Sequence, residues 1–70
     1  MAHTGCLDLK ERQVEALRLA SEGMSSKEIG NVLGITKRTA DWHLVSAIGK
    51  LKARNRTHAV AIALRSKLIE

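Results

Sequence analysis

The chain has 70 residues with one cysteine, one tryptophan and no proline, phenylalanine or tyrosine, and its formal net charge is +5. This length allows one small domain, which buries about 60% of its unfolded surface. The single cysteine, Cys6, excludes an internal disulfide and a multi-cysteine zinc site, and it is interpreted as a free thiol. No apolar run approaches the roughly 20 residues of a membrane-spanning helix, so we expect a cytoplasmic protein without membrane attachment.

The positive charge is concentrated in the middle of the chain. Residues 1–24 carry a net charge of −1, residues 25–56 carry +5 and residues 57–70 carry +1. A local excess of lysine and arginine is the electrostatic footprint of a nucleic-acid surface, although small soluble domains often carry surplus cations as well.

The first predicted helix runs from Leu9 to about Glu22. Asp8 and Glu11 have the spacing of a capping box at its start, and Gly23 supplies its stop. Residues 1–6 show no period and are interpreted as a linker or a cloning remnant.

The second predicted helix is short and ends in a glycine turn. Ser25 and Glu28 form an S-x-x-E capping box, and Gly34 ends the helix. Gly30 lies inside the helix, where glycine costs about 1 kcal/mol relative to alanine. We expect it there because two helices cross too closely to admit a side chain. The apolar residues of this helix, expected on one side, are Ile29, Val32 and Leu33.

The third predicted helix follows Thr36, its N-cap, and runs to about Ala53 with two different faces. At about 100° per residue, one face collects apolar residues, namely Ala40, Leu44, Ala47, Ile48 and Leu51. The opposite side carries Arg38, Asp41, Trp42, Val45, Gly49 and Lys52. A tryptophan in this position favours contact with a partner, and partial packing on neighbouring side chains is the alternative.

The fourth predicted helix is capped by Asn55 or Thr57 and runs to about Lys67. It is apolar on more than one side. Its core face is predicted to hold Val60, Ala63 and Leu64, and another side holds Ala59 and Ile62. An apolar side left over on a terminal helix indicates a covering partner, and a second copy of the chain is the economical one.

A series of residues between roughly Leu7 and Ile69 matches the pattern of a known family in order and without a gap. They include ERQV at 11–14, SSKEI at 25–29, LGI at 33–35, TADWHL at 39–44 and NRTHAV at 55–60. In this order the chain resembles the LuxR-type DNA-binding domain, also called the GerE or NarL/FixJ type. Residues 54–57 and the C-terminal Lys-Leu-Ile are similar to the acyl-homoserine-lactone (quorum-sensing) subgroup, while two-component response regulators share most of the pattern.

The resemblance implies an all-α, four-helix domain over 7–70 with the helix-turn-helix motif at about 26–45. The recognition helix, about 37–52, would enter the major groove of double-stranded promoter DNA. The resemblance also implies a homodimer through the last helix, weak in the isolated domain, and contact with RNA polymerase. A small-molecule inducer would bind a missing N-terminal domain, or that domain would be a phospho-receiver. No cofactor is implied.

The family's base-contacting positions fall on Asp41, Trp42 and Val45. Many members carry a basic or amide residue where Asp41 stands, and some carry a basic one at Val45. An aspartate cannot clamp guanine as arginine does, but it can accept a hydrogen bond from cytosine N4, and a valine can touch a thymine methyl group.

Phosphate contacts are expected from hydroxyls, cations and helix N-termini at the starts of the second and third helices. The residues concerned are Ser26, Lys27, Thr36, Lys37, Arg38 and Thr39. Arg54 and Arg56 are weaker candidates. We expect Lys50 to pair with Glu11 or Glu15 of the first helix instead.

Nothing in the sequence indicates an enzyme or a metal site. No nucleophile or carboxylate pair accompanies His43, so a satisfied structural histidine is expected there. His3, His43 and His58 do not share the spacing of a helical metal site. A protein-interaction domain that kept the fold but lost DNA readout is the alternative from another functional class, motivated by Asp41 and Val45.

Overall fold

Four helices follow one another along the chain in the computed structural model, which describes residues 9–70. They are α1 (Glu11–Ser21), α2 (Ser26–Leu33), α3 (Lys37–Leu51) and α4 (Arg56–Arg65). The all-α, four-helix prediction is confirmed. The predicted linker, Cys6, His3 and the capping residue Asp8 lie outside the described residues.

Three of the four helices begin at the predicted caps. In α2, the Ser25 hydroxyl accepts from the Glu28 N–H at 3.2 Å while the Glu28 carboxylate accepts from the Ser25 N–H at 2.8 Å. Thr36 Oγ1 accepts from the Thr39 N–H at 3.1 Å, and Asn55 Oδ1 accepts from the His58 N–H at 2.8 Å. These side chains satisfy backbone donors that the first helical turn leaves without partners.

The first helix begins later than predicted, because Leu9 and Lys10 lie outside it. Lys10 is the N-cap, and its N–H donates to Oε1 of Gln13 at 3.0 Å. Lysine has no side-chain acceptor, so of the two reciprocal hydrogen bonds of a capping box only the one accepted by Gln13 is present.

The last two helices are shorter than predicted. Lys52 takes the left-handed conformation, with φ of 56°, and its N–H bonds back to the carbonyls of Gly49 and Ile48, so α3 ends at Leu51 rather than about Ala53. Lys67 also has a positive φ, 61°, and α4 ends at Arg65. Glycine is the usual residue in the left-handed conformation, but a lysine can also occupy it. Because neither position has a glycine, the sequence pattern gave no signal for either helix end.

The core lies around α3, which packs against each of the other three helices. Its predicted core face is confirmed, since Ala40, Leu44, Ala47 and Leu51 are buried and Ile48 is partly buried against them. The other helices and the C-terminal segment contribute Ala16, Leu17, Leu19, Ile29, Ala59, Ala63 and Ile69. Many of these side chains are alanines, which lets the helices approach closely with little apolar volume between them.

Three predicted positions on the core and outer faces are wrong. Val32, predicted to share the apolar side of α2 with Ile29 and Leu33, is 57% exposed, and Leu64, predicted for the core face of α4, is 44% exposed. Ala59 is fully buried, so it lies in the core and not on a free side of α4. The reason is that α4 turns its small side chains Ala59 and Ala63 inward, which places Leu64 on the outside.

A buried amide joins α1 to α3. Gln13 is 2% exposed, and its Nε2 donates to Ser46 Oγ at 3.0 Å while its Oε1 accepts from Lys50 Nζ at 3.1 Å. Lys50 therefore contacts α1 as expected, but through the neutral Gln13 and not through Glu11 or Glu15. A buried polar group of this kind is tolerated because it is hydrogen-bonded.

The turn between α2 and α3 depends on the missing side chain of Gly30. A Cβ at this position would lie 2.7 Å from the Ile35 carbonyl oxygen and 3.2 Å from the carbonyl carbon of Thr36. The predicted close approach is confirmed, but the contact is with the backbone of the turn and not with the body of α3. The turn itself passes through Gly34 in the left-handed conformation, with φ of 72°.

We predict that Gly30→Ala destabilises the domain. The added methyl group meets backbone that cannot move without shifting α3, so the free energy of unfolding should fall by about 1–3 kcal/mol. Gly49→Ala is the matched control, because Gly49 is exposed in α3 and a Cβ there meets nothing within 4 Å. That variant should gain about 0.5–1 kcal/mol from helix propensity. Urea unfolding of both variants tests the prediction, which a stable Gly30→Ala domain contradicts.

Candidate nucleic-acid interface

The helix-turn-helix geometry is built by α2, the turn at residues 34–36, and α3. The Gly34 and Ile35 N–H groups both donate to the Gly30 carbonyl, the latter at 2.9 Å, so the chain reverses within a single turn. Thr36 then caps α3. This arrangement leaves the N-terminal half of α3 at the surface on the side away from the core.

The exposed side of α3 carries two large apolar side chains. Trp42 is 60% exposed and Val45 is 67% exposed. The Trp42 ring lies edge-on to the His43 ring, with the centroids 5.4 Å apart and the planes at 66°. Trp42 is therefore exposed on the side away from the core and also packs in part on the neighbouring His43.

Asp41 lies on the side of α3 that is next to α2, and both of its carboxylate oxygens accept hydrogen bonds inside the domain. Its Oδ1 accepts a hydrogen bond from the Ser26 hydroxyl, and its Oδ2 accepts from Lys37 Nζ at 3.0 Å. The expectation that its carboxylate faces base edges needs correction for this reason. The helical angle was right, but aspartate is short enough to turn back towards α2.

The surroundings of Asp41 favour its charged form. Hydrogen bonds from Ser26 and Lys37 hold the pKa of the Asp41 carboxyl below its ordinary value of 3.8, and the charges of Lys37 and Arg56 lower the pKa further. Desolvation acts in the opposite direction but is outweighed. The carboxyl is consequently ionised, and an acceptor only, at neutral pH.

The six predicted phosphate-contact residues differ in their freedom to act. Lys27, Thr36, Lys37, Arg38 and Thr39 are exposed at the starts of α2 and α3. Ser26 is only 8% exposed and its hydroxyl is given to Asp41, which corrects its predicted role as a hydroxyl donor to phosphate. The Thr36 hydroxyl is also engaged, since it donates to Thr39 Oγ1 at 3.0 Å. Within residues 9–70, Lys27 and Arg38 form no ion pair.

His43 differs from the satisfied histidine that was expected. It is half-buried at the edge of the core, and its Nδ1 is buried without a hydrogen-bond partner among the described residues. Neither His43 nor any other described residue belongs to a group of three side chains that could hold a metal ion. None of the helices in residues 9–70 is long and apolar enough to cross a membrane.

The outer face of α4 forms a shallow open depression. It is lined by Arg54, Asn55, Thr57, His58 and Ala61. Leu64 lies exposed one helical turn beyond Ala61. Of the two residues predicted for a dimer interface, Ala59 is buried and Ile62 is half-buried against the core.

A family model described as bacterial regulatory proteins, luxR family, matches residues 8–63, which is most of the chain. The chain belongs to the luxR family. Over 61 residues it is 54% identical to the transcriptional activator protein BjaR1 of Bradyrhizobium diazoefficiens and 48% identical to the quorum sensing-dependent transcriptional regulator RpaR of Rhodopseudomonas palustris. Each alignment covers 87% of this chain and 25% of the relative, so the chain spans about a quarter of their length.

The luxR family also includes regulators with other names. The transcriptional regulatory protein LiaR of Bacillus subtilis is 39% identical over 61 residues, which are 87% of this chain and 29% of LiaR. Members of this family are regulatory proteins and not enzymes, which confirms the sequence-based prediction. The predicted resemblance to a LuxR-type domain is likewise confirmed.

Sequence reasoning missed a second contact on the start of the luxR-type motif. The Arg56 guanidinium, at the first position of α4, donates a hydrogen bond to the Met24 carbonyl in the loop before α2. Arg56 had been only a weak candidate for phosphate. Its partner stands 32 residues earlier in the chain, a separation for which no local pattern gives a signal.

We predict that Asp41 contributes to acid unfolding. Its pKa is lowered in the folded state, so its stabilising contribution is present above the ordinary carboxyl pKa and is lost as the pH falls through the folded value. The free energy of unfolding should therefore fall more steeply from about pH 5 to about pH 2 in the wild type than in Asp41→Asn. Glu15→Gln, which breaks the exposed Arg12–Glu15 pair, is the control and should keep the wild-type slope. Equal slopes in all three proteins contradict the prediction.

Proposed function

We propose that this domain binds double-stranded DNA in a sequence-specific manner, with α3 in the major groove, as the output domain of a transcription regulator. The observation that carries the proposal is the outer face of α3. It exposes Trp42 and Val45 directly opposite a buried face, with cations at the start of the same helix. An exposed apolar face with a basic border is suited to base edges flanked by phosphates.

Base contacts are assigned to Trp42 and Val45. Both are more than half exposed, and an aliphatic side chain in the groove can discriminate thymine by its methyl group. Asp41 was expected to read cytosine, but its carboxylate is turned towards α2, where Oδ1 accepts from the Ser26 hydroxyl. We therefore give Asp41 no base contact.

Phosphate contacts are assigned to the exposed residues at the two helix starts. Lys27 lies at the start of α2, and Thr36, Lys37, Arg38 and Thr39 lie at the start of α3. The N-terminal N–H groups of both helices add donors and the positive end of the helix dipole. Ser26 contributes through its backbone N–H in this proposal, since its hydroxyl is engaged with Asp41.

Dimerisation is assigned to the outer face of α4, but through other residues than predicted. Ala61 and Leu64 replace Ala59, which is buried, while Ile62 keeps only the minor part of its surface that the core leaves free. A symmetric contact between two α4 helices would present two recognition helices to successive major grooves.

The whole protein is proposed to be a cytoplasmic regulator in which this domain follows a sensing part. The names of BjaR1 and RpaR favour a quorum-sensing activator whose small-molecule inducer binds outside this chain, and contact with RNA polymerase would follow DNA binding. The likeness to the response regulator protein VraR of Staphylococcus aureus keeps a two-component response regulator as the alternative.

A protein-interaction domain is the second candidate function. The observation that favours it is the apolar character of the exposed surface, because Val32, Trp42 and Val45 are all more than half exposed. Side chains of this kind also anchor protein interfaces. The salt dependence of the affinity distinguishes the two functions, since only DNA binding releases condensed counterions.

We predict salt-dependent binding to a fluorescent duplex selected from a randomised pool. Affinity should fall steeply between about 50 and about 200 mM salt, and Arg38→Gln should reduce the slope of log affinity against log salt by about 1. Trp42→Ala should lower affinity for the selected duplex by about 1–3 kcal/mol while leaving the slope unchanged. Arg12→Gln, in the exposed pair of α1, is the matched control for charge. Absent duplex binding at low salt, or salt-independent affinity, contradicts the proposal.

We predict that Leu64→Ser weakens cooperative binding to two half-sites. The change removes an exposed apolar side chain from the α4 face, so the gain in affinity from one half-site to an inverted repeat should shrink while single half-site affinity stays constant. Val32→Ser is the matched control, because Val32 is similarly exposed but lies on α2. Titration of both duplexes measures the gain in affinity. An unchanged gain in Leu64→Ser would mean that this face of α4 does not form the dimer contact.

A further inference from the structure

Two charged side chains from distant parts of the chain meet at the start of α2. Asp41 of α3 accepts from the Ser26 hydroxyl, and Arg56 of α4 donates to the Met24 carbonyl two residues earlier. The partners stand 15 and 32 residues apart, so both bonds are tertiary contacts and not parts of a helix cap. The segment 24–26 is thereby held from α3 and from α4 at once.

The Ser26 bond is the stronger hold that Asp41 has on its surroundings. Ser26 is buried, and a buried hydroxyl that loses its acceptor costs more free energy than an exposed one. The Lys37–Asp41 pair, in contrast, is an i,i+4 pair whose side chains are 66% and 45% exposed. Exposed pairs of this type stabilise little, so Lys37 can leave Asp41 for a phosphate without much loss.

Every group that faces Asp41 from the neighbouring elements favours its ionised form. Ser26 donates from α2, Lys37 donates from α3, and the charge of Arg56 acts from α4. An ionised carboxylate is an acceptor only, which matches the hydroxyl and ammonium donors beside it. It is poorly matched to DNA phosphates, which would repel it.

We propose that Asp41 and Arg56 form a polar clamp on residues 24–26, and that Asp41 is a positioning residue that orients α2 on α3 for DNA binding rather than a base contact. This inference rests on the proposed function. The two helices bring different groups to DNA: Lys27 stands at the start of α2, and Trp42 and Val45 lie on α3. Both sets reach one duplex only when the angle between the helices is fixed, so the clamp governs specificity and not merely stability.

The test compares Ser26→Ala, Asp41→Ala, their double variant and Asp41→Asn in the full 70-residue chain. Asp41→Asn retains an oxygen that can accept from Ser26. Glu15→Ala, on α1, is the matched control for loss of a partly exposed carboxylate. Each protein is used to select duplexes from a randomised pool. The affinity ratio between the wild-type selected duplex and a random duplex is then measured, together with urea unfolding.

We expect Ser26→Ala and Asp41→Ala each to lower the affinity ratio by about fivefold, the factor that corresponds to one net hydrogen bond. The double variant should lose no more than either single variant, because both changes remove the same contact. Asp41→Asn should restore most of the ratio. The preferred base at every position should stay that of the wild type in all variants.

Two results overturn the clamp alone, and a third overturns the proposed function as well. A changed preferred base at one position in both Asp41→Ala and Asp41→Asn, with Ser26→Ala unchanged, makes Asp41 a base contact. Loss of stability with an unaltered affinity ratio makes the contact merely structural. Failure of the wild type to bind any duplex overturns the proposed function and the inference with it, and it is distinguishable because the wild type, not a variant, then fails.

Discussion

The arrangement of the exposed face of α2 and α3 depends on the backbone contact at Gly30. Because the carbonyl of Ile35 occupies the space where a side chain would begin, the turn lies directly on α2. This contact sets where α3 starts and which of its faces meets the other helices. The exposed positions of Trp42 and Val45, and the nearness of Asp41 to Ser26, both follow from that placement.

Local rules explain why much of the fold could be predicted. The caps at Ser25, Thr36 and Asn55 involve partners three residues away, and the buried face of α3 repeats with the helical period. Gly34 has a conformation that favours glycine. Each of these features is encoded within one or two turns of chain, so a short sequence window contains all the information that it requires.

The candidate site was less predictable because its decisive contacts join distant segments. The helical angle placed Asp41 beside Trp42, but it could not show that the shorter side chain reaches Ser26. Periodicity also failed in α4, where apolar residues occur on nearly every side and no face stands out. There the burial of Ala59 and the exposure of Leu64 are decided by packing against the other helices.

The hydrogen bonds that join α1 and α2 to α3 differ in chemical character. The first is made by the neutral amide of Gln13, and the second is accepted by the carboxylate of Asp41. Neither Gln13 nor Ser46 titrates, so the contact between α1 and α3 keeps its hydrogen bond in acid. The contact between α2 and α3 includes the Ser26–Asp41 hydrogen bond, which weakens once the Asp41 carboxylate binds a proton. On strong acidification the contact between α2 and α3 therefore loses part of its stabilisation, while the hydrogen bond that Gln13 donates to Ser46 is unchanged.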